Sequence, residues 1–379
     1  MKTTPIPTPY YEYNLGVLRS TLEAMLSAIP DPRYRVHYAI KANNNRKILN
    51  EIVGTGKIGA DCVSGGEVEA AINAGFNPAD IMLAGVGKTD REIQLALNAG
   101  IGCLNVESLE ELEIIHQLAT SMGVKAPIAL RINPNIDAHT HKYITTGTAE
   151  NKFGIPLATL DRAIEKALEW ADGIELLGLH FHIGSQLLDM QPYVALCHTI
   201  NEIQHHLDSL GVRLSMIDVG GGLGIDYIHP HENPIPDFGA YFSVFQKHLQ
   251  LRPHQTLHFE LGRSLVAQCG SLITQVTYVK QGLHRKFIIV DSGMTDLIRP
   301  ALYGAHHHID NISANEESIR EKYDVVGPIC ESSDTFARDI TLPLTHRGDL
   351  LAIRSAGAYG EVMASHYNCR QLPQSYFID

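Results

Sequence analysis

A chain of 379 residues, 44% of them hydrophobic, is too long for one ordinary domain and carries enough apolar material for sizeable cores, which excludes global disorder. Its 42 acidic against 30 basic residues leave a net charge of −12, which argues against nucleic acid or an anionic membrane as the main partner. No apolar run of about 18 residues predicts a transmembrane helix; the opening MKTTPIPTPYYEYN has prolines and tyrosines where a secretion signal is apolar, and six scattered cysteines without a CxxC pair read as free thiols of a reducing cytoplasm.

In chain order, LGVLRSTLEAMLSAI (15–29) places Val17, Leu18, Leu22, Met25, Leu26 and Ile29 at helical spacing, and Pro30 and Pro32 end the helix. RVHYAIKANNN (35–45) then alternates as a strand. Val36, Tyr38 and Ile40 take one face, while His37, Ala39 and Lys41 take the other. Further strand-like runs follow: IGADCV (58–63), IML (81–83), GCLNV (102–106), PIALRI (127–132), LLGLHFH (176–182), MIDV (216–219) and TLHFE (256–260). Helical patterns lie between several of them, at GEVEAAINAG, TDREIQLALNAG, SLEELEIIHQLATSMG and 157–171. With VHYAI (36–40) as the first, these strands predict a closed (β/α)8 TIM-type barrel over residues 12–264. After 264 the texture turns β-rich, in SLITQVTYV, KFIIVDSG, KYDVVGP, DITLPL and DLLAIRS, with a helical patch near 356–368. This predicts a C-terminal barrel or sandwich domain over 265–379, joined by residues 1–11. Residues 133–152 and 227–238 read as long loops of the kind that lie beside a site.

The functional end of such a barrel is where its strands terminate at their C-terminal ends. There the sequence places Lys41, Asp61, Arg131, His180 to His182 with Ser185, Asp218 with GGGLG (220–224), and Glu260 with Gly262 and Arg263. A confined lysine can lose its proton and form a Schiff base. Gly220, Gly221 and Gly222 either form a tight turn or let backbone N–H groups approach a phosphate, with Ser185 as a hydroxyl donor. The loop lacks both P-loop and dinucleotide spacing. Glu260 is either a rim carboxylate paired with Arg263 or the partner of a pyridine nitrogen. The His180-x-His182 pair lacks a clear third ligand, so no metal is expected, and His306 to His308 read as a solvated loop.

The motifs YAIKAN (38–43), DCVSGGE (61–67), HKYITTGTAENKFGI (141–155), HFHIGSQ (180–186), GGGLGI (220–225), ELGRSLV (260–266), RPALYGAHH (299–307), GPICESSD (327–334) and GAYG (357–360) occur in one order along the chain. In this the sequence resembles, over nearly its whole length, the pyridoxal-phosphate decarboxylases with an alanine-racemase-like barrel (fold type III). Within that family it looks like the branch that converts meso-2,6-diaminopimelate to L-lysine and CO2. The resemblance implies that Lys41 bonds covalently to pyridoxal 5′-phosphate, that His182 stacks on its ring and that Glu260 pairs with its nitrogen. It implies a cofactor site that includes Asp61, with the phosphate held by Ser185, Gly220 to Gly222, Gly262, Arg263 and Tyr359. Cys330 would protonate Cα, Glu331 would bind the distal ammonium, and Arg263, Arg299, Tyr303 and Tyr359 would bind the distal carboxylate. It further implies a homodimer in which Cys330 and Glu331 come from the second subunit. Read alone, Cys330 is equally a small buried hydrophobe. Leu261 stands where the family usually has proline, and the chain is short at its N-terminus and in loops. The rivals are an ornithine, lysine, arginine or carboxynorspermidine decarboxylase, a racemase on the same barrel, and a catalytically silent cofactor-binding protein. An Arg/Tyr set suited to a distal carboxylate favours diaminopimelate over the simple diamine precursors.

Overall fold

The computed structural model describes residues 6–136, 152–315 and 318–379. Most of the loop expected at 133–152, and most of the HKYITTGTAENKFGI motif, lie outside the described residues. The chain divides into two compact units. One is Leu22–Gly224 with Asp237–Gly262; the other is the chain up to Thr21, Ile225–Pro236 and Arg263–Asp379.

The first unit is a closed barrel of eight parallel strands: Tyr34–Ala39, Ile58–Cys62, Ile81–Leu83, Cys103–Val106, Ala126–Asn133, Ile174–His180, Met216–Asp218 and Thr256–Leu261. Each pairs with the next, and the last returns to the first, with Leu257 opposite Tyr34 and Glu260 opposite His37. Strand alternation sorts the side chains. Met82, Cys103, Ala129 and Met216 meet in one buried cluster. His37 and His258 are hydrogen-bonded to each other at 2.9 Å. Helix starts follow from capping chemistry: Ser64 and Ser108 each accept an N–H three residues on, and Thr89 with Glu92 closes a capping box.

Among the described residues of this unit, three helices escape the sequence patterns above: Arg46–Val53, Gln191–Ser209 and Phe238–His248. The last, FGAYFSVFQKH, is rich in residues that favour strands. It is helical because Tyr241, Phe242 and Phe245 all pack edge-on against Phe259 of the last barrel strand, with ring centroids 5.0–5.7 Å apart.

The second unit is a mixed sheet. Its hydrogen-bonded order is Ile309–Asn311, Leu350–Ile353, Gly270–Gln281, Lys286–Val290, Arg320–Val326, Thr335–Pro343. Strand Tyr10–Asn14 adds to Gly270–Gln281 antiparallel, and Gln374–Ile378 adds to Tyr10–Asn14 in parallel. A register shift between Val276 and Tyr278 divides the long strand. Its first half pairs with Leu350–Ile353, and its second half runs along Lys286–Val290. The helical patch expected near 356–368 is two single 3-10 turns, Glu361–Met363 and Tyr367–Cys369. Among the described residues no helix is long and apolar enough to cross a membrane.

Candidate active site

Lys41 is the last residue of YAIK, but the strand stops at Ala39 and Lys41 sits in the 3-10 turn Ile40–Ala42. Strand parity therefore does not aim the lysine; the turn does. The Tyr38 hydroxyl donates to the Asn43 carbonyl at 2.8 Å and fixes that turn from below. A Cβ on Gly262 would come within 3.1 Å of Ala39 and Ala42 Cβ, so this glycine lets the end of the last strand close on the turn. The Lys41 ammonium donates to Asp61 Oδ2 at 2.8 Å, with 37% of the lysine side chain exposed against none of the aspartate.

Glu260 is buried at the same strand ends. Its Oε1 accepts from Asn105 Nδ2 at 3.3 Å and lies 3.2 Å from His180 Nε2, near enough for attraction though out of line for a hydrogen bond. Asp61 and Asp218 are fully buried beside it, and one oxygen of each has no hydrogen-bond partner. Burial penalises the charge on all three carboxylates. For Glu260 the opposing fields of His180 and Lys41 win, and its pKa falls well below the usual range. Burial and the Glu260 charge push Asp61 up to about 7 and hold Asp218 well above its ordinary value. Of the three, Glu260 is the carboxylate held most firmly in its ionised form.

His182 accepts the Gly221 N–H at Nδ1, 3.2 Å away, which leaves its own proton on Nε2. Burial and the nearby Arg131 push its pKa down to about 3, so the ring is neutral. Arg131 is itself held by Glu107 at 2.5 Å, and Glu107 also accepts the Gly154 N–H at 2.9 Å. Asp218 Oδ1 accepts the Gly220 N–H at 2.8 Å. A Cβ on Gly221 would stand 2.0 Å from the Glu260 carbonyl oxygen, so only glycine fits there. Leu187 N–H donates to the Gly222 carbonyl and Gly224 N–H to the Leu187 carbonyl, both at 2.9 Å. These bonds lace the loop bearing half-buried Ser185 to the glycine loop. A lysine, an ionised carboxylate, a neutral imidazole and a glycine cradle fit a flat, phosphate-bearing aldehyde cofactor.

His180, Asp218 and Glu260 do bring three ligand-type atoms within 4.8 Å of one another, a set that the His-x-His spacing did not reveal. The charges of Lys41 on Glu260 and of Arg131 on Asp218 oppose a divalent ion in that cluster.

In the second unit, Arg263 and Arg299 both donate to the Tyr227 hydroxyl, at 2.7 and 2.9 Å. The Tyr359 ring lies 4.8 Å from the Arg263 guanidinium, and Tyr303 is half-buried at the end of helix Arg299–Tyr303. The reading of His306 to His308 as a solvated loop fails at His307, which is 1% exposed. Arg299 donates to His307 Nε2 at 2.9 Å, while Nδ1 donates to the Arg354 carbonyl at 2.8 Å. Burial and Arg299 push this histidine down to about 3. Cys330 and Glu331 are both exposed, which removes the buried-hydrophobe reading of the cysteine. Their loop is clamped by Asp334, whose carboxylate accepts Ile329 N–H at 2.7 Å and Met294 N–H at 2.6 Å. Tyr367 donates to Glu331 at 2.7 Å. Asn105 and Tyr227 went unnoticed in the sequence, and His307 was read as solvated. Only Asn105 had a signal, its alternation with Cys103 on the inward face of CLNV.

The family described as pyridoxal-dependent decarboxylase, pyridoxal binding domain, matches residues 15–267. A diaminopimelate decarboxylase of Bacteroides thetaiotaomicron is 56% identical over the whole of this chain and 97% of its own length. One from Neisseria meningitidis is 42% identical over 98% of this chain and 88% of its own. The crystal structure of diaminopimelate decarboxylase from Helicobacter pylori complexed with L-lysine superposes with a TM-score of 0.92 at 42% identity, covering 99% of this chain and 92% of that one.

Proposed function

This chain belongs to the diaminopimelate decarboxylase family of pyridoxal-dependent enzymes, and from that premise we propose how its residues divide the work. The reaction removes one carboxylate of meso-diaminopimelate as CO2 and leaves L-lysine, with pyridoxal 5′-phosphate as cofactor. When bound, the cofactor supplies the electron sink for the pair left at Cα as CO2 departs.

Lys41 is the covalent anchor, with Asp61 holding its nitrogen in place. Glu260 would hold the ring nitrogen and keep a proton there, a task suited to the carboxylate of its cluster held most firmly in its ionised form. Neutral His182 would hold the ring by one face. Gly220 and Gly221 use their amides on Asp218 and His182 and so shape the cradle; Gly222, Ser185, Gly262, the Arg263 backbone and Tyr359 would hold the phosphate. Arg263 and Arg299, already converged on one phenol oxygen, take the far carboxylate of the substrate with Tyr303 and Tyr359. Glu331 takes the far ammonium, and Cys330 returns a proton to Cα. The reading includes a cytoplasmic homodimer in which Cys330 and Glu331 serve the partner's site. Their exposure on a loop held rigid by Asp334 supports it.

The observation that carries the reading is the Lys41–Asp61 contact on the same strand ends as buried Glu260. The purified enzyme with added cofactor should release CO2 and L-lysine from meso-diaminopimelate and leave ornithine nearly untouched. Lys41→Ala should abolish turnover and the cofactor's visible absorbance band. Rapid putrescine formation without lysine would overturn the substrate, and a full band in Lys41→Ala would overturn the anchor.

A further inference from the structure

We propose that His231, His308 and Asp310 form a binding site for one divalent ion of the zinc class, with water completing the shell. None of the three has a part in the roles assigned above. His231 belongs to segment Ile225–Pro236, while His308 and Asp310 lie at strand Ile309–Asn311, all within one compact unit.

The ligand atoms already converge. His231 Nε2 is 2.9 Å from Asp310 Oδ2, and His308 Nε2 is 3.0 Å from Oδ1. One candidate atom from each residue falls within 4.8 Å of the others. The two imidazole planes cross at 89°, with centroids 5.6 Å apart, so both rings point a nitrogen at the carboxylate without stacking. Nitrogen and oxygen ligands about 2.0–2.1 Å from a tetrahedral zinc stand about 3.3 Å from each other. Each ring therefore opens from its own carboxylate oxygen by about 0.3–0.4 Å, and the set as a whole closes from within 4.8 Å. The 60% exposed His231 side chain is free to make that adjustment.

Asp310 is the common partner of both rings. Arg354 Nε donates to Asp310 Oδ2 at 2.7 Å, which orients the carboxylate but also repels a second cation. Two imidazoles and one carboxylate against that charge suit micromolar binding of zinc, nickel or cobalt. Bound there, the ion would tie segment Ile225–Pro236, which carries Tyr227, to strand Ile309–Asn311.

The test is zinc titration of the metal-stripped holoenzyme by calorimetry, paired with anomalous diffraction at the zinc edge from soaked crystals. One ion per chain is expected, with its peak among the three side chains and a raised melting temperature. His231→Ala, an exposed change that leaves folding intact, should weaken binding at least tenfold and remove the thermal shift; His308→Ala should do the same. Cobalt in place of zinc should show no thiolate charge-transfer band. Wild-type affinity in both variants, peaks only at Cys330, Cys369 or other surface groups, or no binding below about 1 mM would overturn the site.

Discussion

Glu260 is buried, so its charge depends on what Asn105, His180 and Lys41 supply. Glu260→Gln keeps the side-chain shape and removes the charge. We expect the cofactor to remain bound and kcat to fall by about a hundredfold or more, the scale of losing one preorganised electrostatic contact. Asn105→Ala removes one hydrogen bond to the same oxygen and should cost about tenfold. Steady-state kinetics with the absorbance of bound cofactor as a loading control checks both; a Glu260→Gln enzyme with wild-type kcat would remove the carboxylate from the chemistry. The residue scale also shows where sequence reasoning stops. Alternation placed Lys41 on one face with His37 and Ala39, yet the strand ends at Ala39 and a 3-10 turn sets the lysine's direction. Tyr227 gave no local signal, because its role arises only when two arginines from distant segments meet on its oxygen.

At the element scale, the loop 327–334 shows how a short segment is made rigid without regular structure. Asp334 is buried and accepts two backbone N–H groups, one from within the loop and one from Met294. Asp334→Ala leaves both donors unpaired and releases the backbone that presents Cys330 and Glu331. We expect kcat to drop at least about tenfold with the cofactor spectrum unchanged, since each lost hydrogen bond to a charged acceptor is worth about 1.5–3 kcal/mol. An unchanged kcat would show that the loop's position does not matter to turnover. Barrel strands were legible because they are short apolar runs between capped helices, as at Ser64, Thr89 and Ser108. Helix Phe238–His248 was not, because packing against Phe259 overrides the strand preference of its aromatics. Strand Ile309–Asn311, three residues long, has too few positions to show alternation.

For the whole molecule, two properties follow from groups far apart in sequence. His37, His182, His258 and His307 are all held below their ordinary pKa, in each case first by burial. A histidine kept neutral in the fold contributes stability that is complete above its unfolded pKa of about 6.5. That contribution is lost as pH falls toward the folded value, about 3 for His182 and His307. Asp61, raised to about 7, has the opposite sign: its contribution is present at low pH and is lost as pH rises through about 7. In ¹³C-histidine-labelled protein, the His182 and His307 ring signals should stay put from pH 8 to pH 5. A His307 midpoint near 6.5 would contradict its burial between Arg299 and the Arg354 carbonyl. The second property is assembly. If Cys330 acts at the partner's Lys41, then Lys41→Ala and Cys330→Ala enzymes, each inactive alone, complement each other when co-expressed. Random pairing makes about half the dimers mixed, and each mixed dimer joins one intact lysine to one intact cysteine. Activity should therefore return to about a quarter of wild type. A cysteine serving the lysine of its own chain would restore none, because every chain in the mixture lacks one of the two. Turnover measured across mixing ratios decides the matter, with a maximum at equal amounts expected for the shared site and a flat, inactive line for the alternative.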